Sequence, residues 1–382
     1  MNVNIDKEQK KLQDLIITFC KKELNNNILE RESKGHFSKD LWIKCAEQKL
    51  TGLCINKEFG GLGLDPISTI LALEAFGYGC EDNGLSFSIA AQFLSVVIPI
   101  SQYGSKEQKE TLLFDLCSGK KIGANAISEI ESGSDVFSMK TIADFKSNEF
   151  IVNGSKTYIT NGSVADVILT YVLTDKDKGF YGGITPLLVS AKTSGLVIKK
   201  DFEKMGLKTC KMSSLEFNDL KVPASGVLHA IGSGSVIFNK SMEWERIGMS
   251  AIQIGITQRI LEKATSFAQT RMIKSEPLSK KQSIAHKLSN IKVNLEAGRL
   301  LTYKAALGIN NDPNNFVNAS IAKLFVSEAF TSASKDILQI FGASGYIQEL
   351  EIERVYRDAI ASTIYSGTSD IQRNIISGYL GL

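Results

Sequence analysis

Phe150-Ile-Val-Asn-Gly-Ser-Lys-Thr-Tyr-Ile-Thr-Asn-Gly162 is β-like in a chain that reads as helix on both sides of it. Each half of the stretch runs apolar and β-branched residues into Asn-Gly, a strong turn signal. Val167 to Thr174, Thr185 to Ser190 and Leu215 to Val222 read as further strands. Short strands at this spacing suggest a small barrel or sandwich over residues 121–232. Working outward, residues 1–120 show helical periodicity, broken at Gly60-Gly61-Leu62-Gly63 and continuing as apolar helix through Leu71–Gly77 and Leu85–Ile100. After 233, long helical segments near 239–272, 284–308, 316–341 and 368–380 suggest a four-helix bundle. The expected fold is therefore mostly α with an inserted β domain.

The bulk properties narrow the function. A chain of 382 residues has room for two or three domains, each with its own core. The formal net charge of +3 gives no reason to expect a nucleic acid or a membrane as partner. No apolar run approaches the roughly 20 residues of a membrane span, and the start carries no apolar signal core, so a cytoplasmic protein is expected. Six scattered cysteines lack metal-finger spacing and read as free thiols. Three distant histidines, His36, His229 and His286, argue against a metal centre or a Ser-His-Asp triad. Acid-base chemistry must then rest on carboxylates. A G-x-G-x-x-G after a strand and a P-loop are both missing, so a dinucleotide would not be held by either device.

One carboxylate stands out. In Ser241-Met-Glu-Trp-Glu-Arg-Ile-Gly-Met249, helical spacing puts Arg246, Ser250, Gln253 and Thr257 on a polar stripe. Glu245 heads a neighbouring stripe of Met249, Ile252 and Ile256. Desolvation there would raise its pKa towards that of a general base. The pattern alone favours the plainer reading, a carboxylate near the helix start paired with a surface cation. Glu243 reads as solvated.

Ordered motifs along nearly the whole chain resemble those of the acyl-CoA dehydrogenase family. They are Glu58-Phe-Gly-Gly-Leu-Gly-Leu-Asp65, Tyr103-Gly-Ser-Lys-Glu-Gln-Lys109, Ala126-Ile-Ser-Glu-Ile-Glu-Ser-Gly-Ser-Asp135 and Asn153-Gly-Ser-Lys-Thr-Tyr-Ile-Thr-Asn-Gly162. Lys204-Met-Gly-Leu-Lys208, Leu215–Pro223, Gln339-Ile-Phe-Gly-Ala-Ser-Gly-Tyr346, Arg357-Asp358 and Tyr365-Ser-Gly-Thr-Ser-Asp-Ile-Gln372 follow in the family's order. One motif alone would be weak; the ordered set is specific.

The resemblance implies FAD as cofactor. On the family pattern Ser128, Tyr158 and Thr160 contact the isoalloxazine, Tyr158 standing where a Trp is usual, and Ser134 lies between flavin and substrate. Arg271 and Gln282 match positions that reach the FAD of a neighbouring subunit. Gln339, Gly342 and Ala343 match a stretch whose small residues admit the diphosphate. Thr368 and Asp370 open the last helix, whose amides suit flavin or phosphate oxygens. A shared site implies a homo-oligomer, usually a tetramer in this family. After Arg271, Lys274-Ser275 replaces the usual aromatic and Gly, which puts the last turn around the flavin in question.

Ser366 is the telling departure. The commonest family pattern has the catalytic glutamate there, and an unassisted serine is too weak a base. Some members, those acting on isovaleryl and long-chain acyl groups, place the glutamate directly before an Arg on the helix that here carries Gln258-Arg259. That position is Glu245. The resemblance therefore assigns Glu245 as the base that removes the α-proton of an acyl thioester. It also places Ser366 and Gly367 against the thioester, the 366 backbone N–H polarising its carbonyl, with Arg246 orienting the pantetheine or CoA arm or else lying on the helix surface. Loss of the tail glutamate with a base before Arg246 also resembles the enzymes that oxidise prolyl groups on carrier proteins, the favoured substrate here. A short or branched acyl-CoA is the alternative, and a monooxygenase or silent binding protein of the same fold is the further one. Oxygen and an electron-transfer flavoprotein both remain open as electron acceptor.

Overall fold

The computed structural model describes residues 5–382. The first helices are α1 (Lys7–Glu23), α2 (Ile28–Lys34), α3 (Lys39–Glu47), α4 (Pro66–Gly79), α5 (Asn83–Gln92), α6 (Ile98–Tyr103) and α7 (Lys106–Cys117). Their starts follow local chemistry. Asp6 and Gln9 form a reciprocal capping box on α1, as do Ser105 and Gln108 on α7, and Asp65 caps α4 ahead of Pro66. A π-helical turn, Phe93–Val97, joins α5 to α6. The continuous stretch Asn83–Tyr103 is long and apolar enough to cross a membrane, unlike the sequence expectation, but 89% of its apolar window is buried inside the protein. It is a core helix.

The strands are β1 (Gly123–Ala126), β2 (Ile142–Lys146), β3 (Glu149–Thr160), β4 (Val167–Leu173), β5 (Ile184–Ser190), β6 (Leu196–Ile198) and β7 (Met212–Pro223), with a short helix α8 (Phe180–Gly183) before β5. They form a curled sheet in the order β1-β4-β2-β3-β7-β6, with β5 added on β4. Phe150–Gly162 is not two strands. Asn153-Gly154 sits inside β3, and its pairing with β7 shifts register between Val152 and Gly154 and again between Lys156 and Ile159. Gly154 has φ +143, and a Cβ there would lie 2.7 Å from Thr141, so the strand bulges instead of turning. Tyr158 takes the second bulge at φ 59. Only Asn161-Gly162 makes the expected turn.

Beyond these lie α9 (Gly234–Thr270), α10 (Gln282–Gly308), α11 (Asn315–Phe341), α12 (Ala343–Tyr346), α13 (Ile352–Ser362) and α14 (Ser369–Tyr379). The sheet has a core of its own. The N-terminal and C-terminal helices instead share a single core, running from Cys20 and Trp42 through Phe76, Ile247 and Ile252 to Ile337 and Val355. The seam is α4 against α9. A Cβ on Gly255 would meet the Glu74 carbonyl oxygen at 2.1 Å, and one on Gly77 would meet that of Ile252 at 2.2 Å. Glycine lets the two backbones touch.

Candidate active site

Glu245 is the twelfth residue of the 37-residue α9, three turns past its start at Gly234. Protein encloses its carboxylate on nearly all sides, yet the residue keeps a partly open surface, as the floor of a pocket does. Burial raises its pKa above the usual carboxylate range. A hydrogen bond from Ser366 and the charges of Arg246 and Lys323 pull the other way. The Ser366 hydroxyl donates to Glu245 Oε1 at 2.5 Å.

Ser366 and Gly367 form a left-handed turn between α13 and α14, at φ 56 and 86. Three side chains hold its carbonyls from behind. Arg246 Nε donates to the Ser366 oxygen at 3.3 Å, Lys323 Nζ to the Gly367 oxygen at 2.8 Å, and Gln372 Nε2 to both at 3.1 and 2.8 Å. With the carbonyls turned back into protein, the Ser366 N–H has no protein acceptor among the described residues. Tyr365 completes the wall. Its hydroxyl accepts from Gln253 Nε2 at 2.7 Å, and its ring lies 4.7 Å from that of Phe87.

Two sequence readings are corrected here. Glu243 is not solvated. It is buried, accepting from Asn315 Nδ2 at 2.6 Å and from Lys240 at 2.8 Å, because this turn of α9 faces the α10–α11 connection. Arg246 is not a surface cation either. Only 8% of it is exposed, burial pushes its pKa down to about 10, and its guanidinium is engaged by Ser366 and by Ser320 Oγ at 3.5 Å rather than standing free for a substrate arm. The polar stripe containing it, Ser250, Gln253 and Thr257 is wholly buried against the tail turn and α11. Lys323, Gln372 and Phe87 were not singled out from the sequence. A lone lysine in the otherwise apolar Ile321-Ala-Lys-Leu-Phe325 was the signal available.

The residues assigned to FAD fall in three places. Ser128 follows β1, and its carbonyl accepts from the Thr157 N–H of β3 at 2.8 Å, which ties it to Tyr158 and Thr160. Tyr158 is 55% exposed, its ring 5.4 Å from that of Phe202. Ser134 is exposed in the loop before β2. Thr368 caps α14, accepting from the Ile371 N–H, whereas Asp370 is exposed and pairs with Arg373 at 3.0 Å. The remaining five gather at the other end of the bundle, where α9 ends at Arg271, α10 begins at Gln282 and α11 ends through Gln339 into Gly342 and Ala343. Phe267 and Phe341 stack there at 4.2 Å. At about 1.5 Å per residue, Arg271 is roughly 39 Å along α9 from Glu245. Lys274-Ser275 forms a two-residue hairpin turn with both residues left-handed, φ 47 and 68.

These surroundings suit a flavin. Tyr158 offers an exposed flat ring at a strained strand position, α14 offers a capped N-terminus beside the buried, unpartnered Ser369 hydroxyl, and a Cβ on Gly342 would meet nothing within 4 Å. No cluster of three or more metal-binding side chains occurs among the described residues. A groove of about 980 Å³ along α1 and α3 contains none of the site residues.

An α-β-α chain whose buried glutamate meets the tail turn is an acyl-thioester dehydrogenase in architecture, and the chain belongs to the acyl-CoA dehydrogenase family. Models of that family's N-terminal, middle and C-terminal domains match residues 6–120, 124–220 and 232–380. Among its relatives, an L-prolyl-[peptidyl-carrier protein] dehydrogenase of Pseudomonas fluorescens is 35% identical over the full length of both chains. The crystal structure of the prolyl acyl carrier protein oxidase AnaB superposes with a TM-score of 0.97 at 36% identity, covering 99% of this chain and all of AnaB. The FAD complex of PigA does so with a TM-score of 0.97 at 34% identity, over the whole of both chains.

Proposed function

We propose that this protein uses FAD to introduce an α,β double bond into a prolyl group carried as a thioester on a carrier protein. The observation that carries the proposal is the 2.5 Å contact between the Ser366 hydroxyl and Glu245. It puts a desolvated carboxylate beside the turn that receives the thioester.

In this mechanism the thioester carbonyl accepts a hydrogen bond from the Ser366 N–H, which the clamped carbonyls on the other side of the turn leave pointing outward. That bond acidifies the α-carbon. Glu245 takes the α-proton through the oxygen that Ser366 does not hold, and its raised pKa strengthens it as a base. Bound FAD supplies the two-electron acceptor at which the β-hydrogen leaves as hydride. Ser128, Ser134, Tyr158, Thr160 and Thr368 would hold the flavin, and Phe87 with Tyr365 would wall the acyl end. Arg246 acts here through the turn rather than on the pantetheine arm.

The distance between Glu245 and the Arg271–Gln282–Gly342 end supports a homo-oligomer, which we propose to be a tetramer. That end of one subunit would complete the FAD site of another. Among the described residues all six cysteines are free, which suits the cytoplasm. The electron acceptor is oxygen or an electron-transfer flavoprotein.

The test is anaerobic flavin bleaching by a panel of prolyl-carrier, isovaleryl-CoA and butyryl-CoA thioesters. Bleaching by prolyl-carrier alone is expected. Bleaching by isovaleryl-CoA alone would overturn the choice of substrate, and bleaching by none would overturn dehydrogenation.

A further inference from the structure

Lys323 is 1% exposed in the middle of α11, where nothing but function or structure would keep an ammonium. Its Nζ donates to the Gly367 carbonyl at 2.8 Å, the one carbonyl of the tail turn that Arg246 does not reach. Burial first, then the nearby guanidinium of Arg246, lowers its pKa to about 8, while Glu328 and Glu245 favour its charge. Every charged neighbour is accounted for. Glu245 and Arg246 face it from α9 and Glu328 from its own helix, with neutral Gln372 from α14, whereas α10 and α13 add no charge that bears on it. Glu328 is itself drawn outward, 3.8 Å from Arg373 on the surface.

We propose that Lys323 is a positioning residue for the dehydrogenation, holding the Ser366–Gly367 turn against α11 and lending Glu245 the positive charge that keeps it ionised. The inference rests on the reading of Glu245 as the base. Two arguments support it. A neutral amide, Gln372, already satisfies the same carbonyl at 2.8 Å, so hydrogen bonding alone gives no need for a buried cation. And the cation bears on Glu245 in the direction that opposes burial, favouring the carboxylate form a base requires.

The sign follows. Removing the positive charge makes the Glu245 carboxylate harder to form, so the acid limb of the reductive half-reaction moves to higher pH. At higher pH the Glu245 carboxylate forms with or without the neighbouring charge, so the penalty of losing that charge fades as pH rises. Lys323→Arg keeps the charge and should leave the acid limb where the native enzyme has it.

The experiment uses the FAD-loaded enzyme and its Lys323→Met and Lys323→Arg variants, with flavin content and thermal midpoint measured beside the pH profile of flavin reduction. Lys323→Met is expected to lose about tenfold at neutral pH, a loss of the size one pKa unit brings, and to recover part of it as pH rises, with FAD retained. A second readout does not need turnover. Infrared difference spectra of each protein against its Glu245→Gln counterpart follow protonation of that one carboxyl, and Lys323→Met should raise its midpoint. An unmoved carboxyl midpoint and an unmoved acid limb would overturn the proposal. If Lys323→Met fails to fold, Lys323→Gln, which keeps a donor without the charge, decides: an acid limb moved to higher pH supports the proposal and a native limb overturns it. An enzyme that no thioester reduces, but whose Glu245 midpoint still moves with Lys323, would count against the function and not against this coupling.

Discussion

The Ser366 hydroxyl and the Glu245 carboxylate, 121 residues apart in the chain, lie 2.5 Å apart in the fold. The serine is therefore a donor to the carboxylate proposed as the base. Because one Glu245 oxygen is tied down, the other is fixed in direction, which is what proton abstraction from a defined carbon demands.

Glu245→Gln should leave a yellow, folded protein whose flavin no longer bleaches with thioester. The change is nearly isosteric and an amide still accepts from Ser366, so FAD content and thermal midpoint should stay native. Stopped-flow reduction is expected to slow by about 10³-fold or more, at the upper part of what a positioned base contributes. Reduction at the native rate would remove Glu245 from the mechanism.

Ser366→Ala should keep most of the bleaching but shift its pH dependence. The hydroxyl stabilises the carboxylate form, so its loss leaves burial less opposed and raises the Glu245 pKa. The base is then protonated over a wider acidic range, and the acid limb moves to higher pH while the plateau above it changes by less than about tenfold. An unmoved limb would mean that the contact does not bear on the base.

Arg246→Met should destabilise the fold as well as the site. It leaves the Ser366 carbonyl with one donor fewer and Glu245 without its nearest cation. Breaking a buried charged arrangement in this way costs about 3–5 kcal/mol, readable as a lowered urea midpoint. A loss of thioester affinity with unchanged stability would instead favour a direct role on the pantetheine arm.

Arg271→Ala should weaken FAD retention without touching Glu245. Co-expressed with Glu245→Gln, it should restore activity that neither variant has alone, because a mixed oligomer can join an intact Glu245 from one subunit to an intact Arg271 from the next. Size-exclusion with light scattering and the 450 nm absorbance of the mixture test this. Failure to complement in a verified mixed oligomer would place Arg271 outside the shared site.

Gly255→Val should be among the most damaging single changes away from the site. Its Cβ would lie 2.1 Å from the Glu74 carbonyl oxygen, so α4 and α9 must part. Overpacking of this kind costs about 1–3 kcal/mol or more, and the thermal midpoint should fall accordingly.

Much of this was legible in the sequence, for stated reasons. The α-β-α order follows from local periodicity, and the ordered motifs fix the family; strands β1, β2 and β6 were too short or too irregular to mark, whereas the helix α13 (Ile352–Ser362), as long as α14, was passed over. Glu245 was assigned through the resemblance, as the residue directly before Arg246 on the helix that carries Gln258-Arg259; heading an apolar stripe only marked it as a candidate. Glu243 and Arg246 could not be placed, since α9 from Ser241 to Thr257 is buried on nearly all faces and burial there no longer follows polarity. Asn153-Gly154 misled because a bulge and a turn call for the same residues. Lys323 escaped notice because its partner is a backbone carbonyl 44 residues away, and no side-chain pattern records a carbonyl.

The core shared by the N-terminal and C-terminal helices sets the order in which the chain can mature. As the polypeptide leaves the ribosome, Trp42 and Phe76 must wait for Ile252, Ile337 and Val355 before their cavity closes, whereas the sheet between them can close on itself. Nascent chains stalled far enough past β7 for it to leave the ribosome should thus present an ordered middle flanked by a protease-sensitive, chaperone-bound amino end, which becomes resistant only once α13 has emerged.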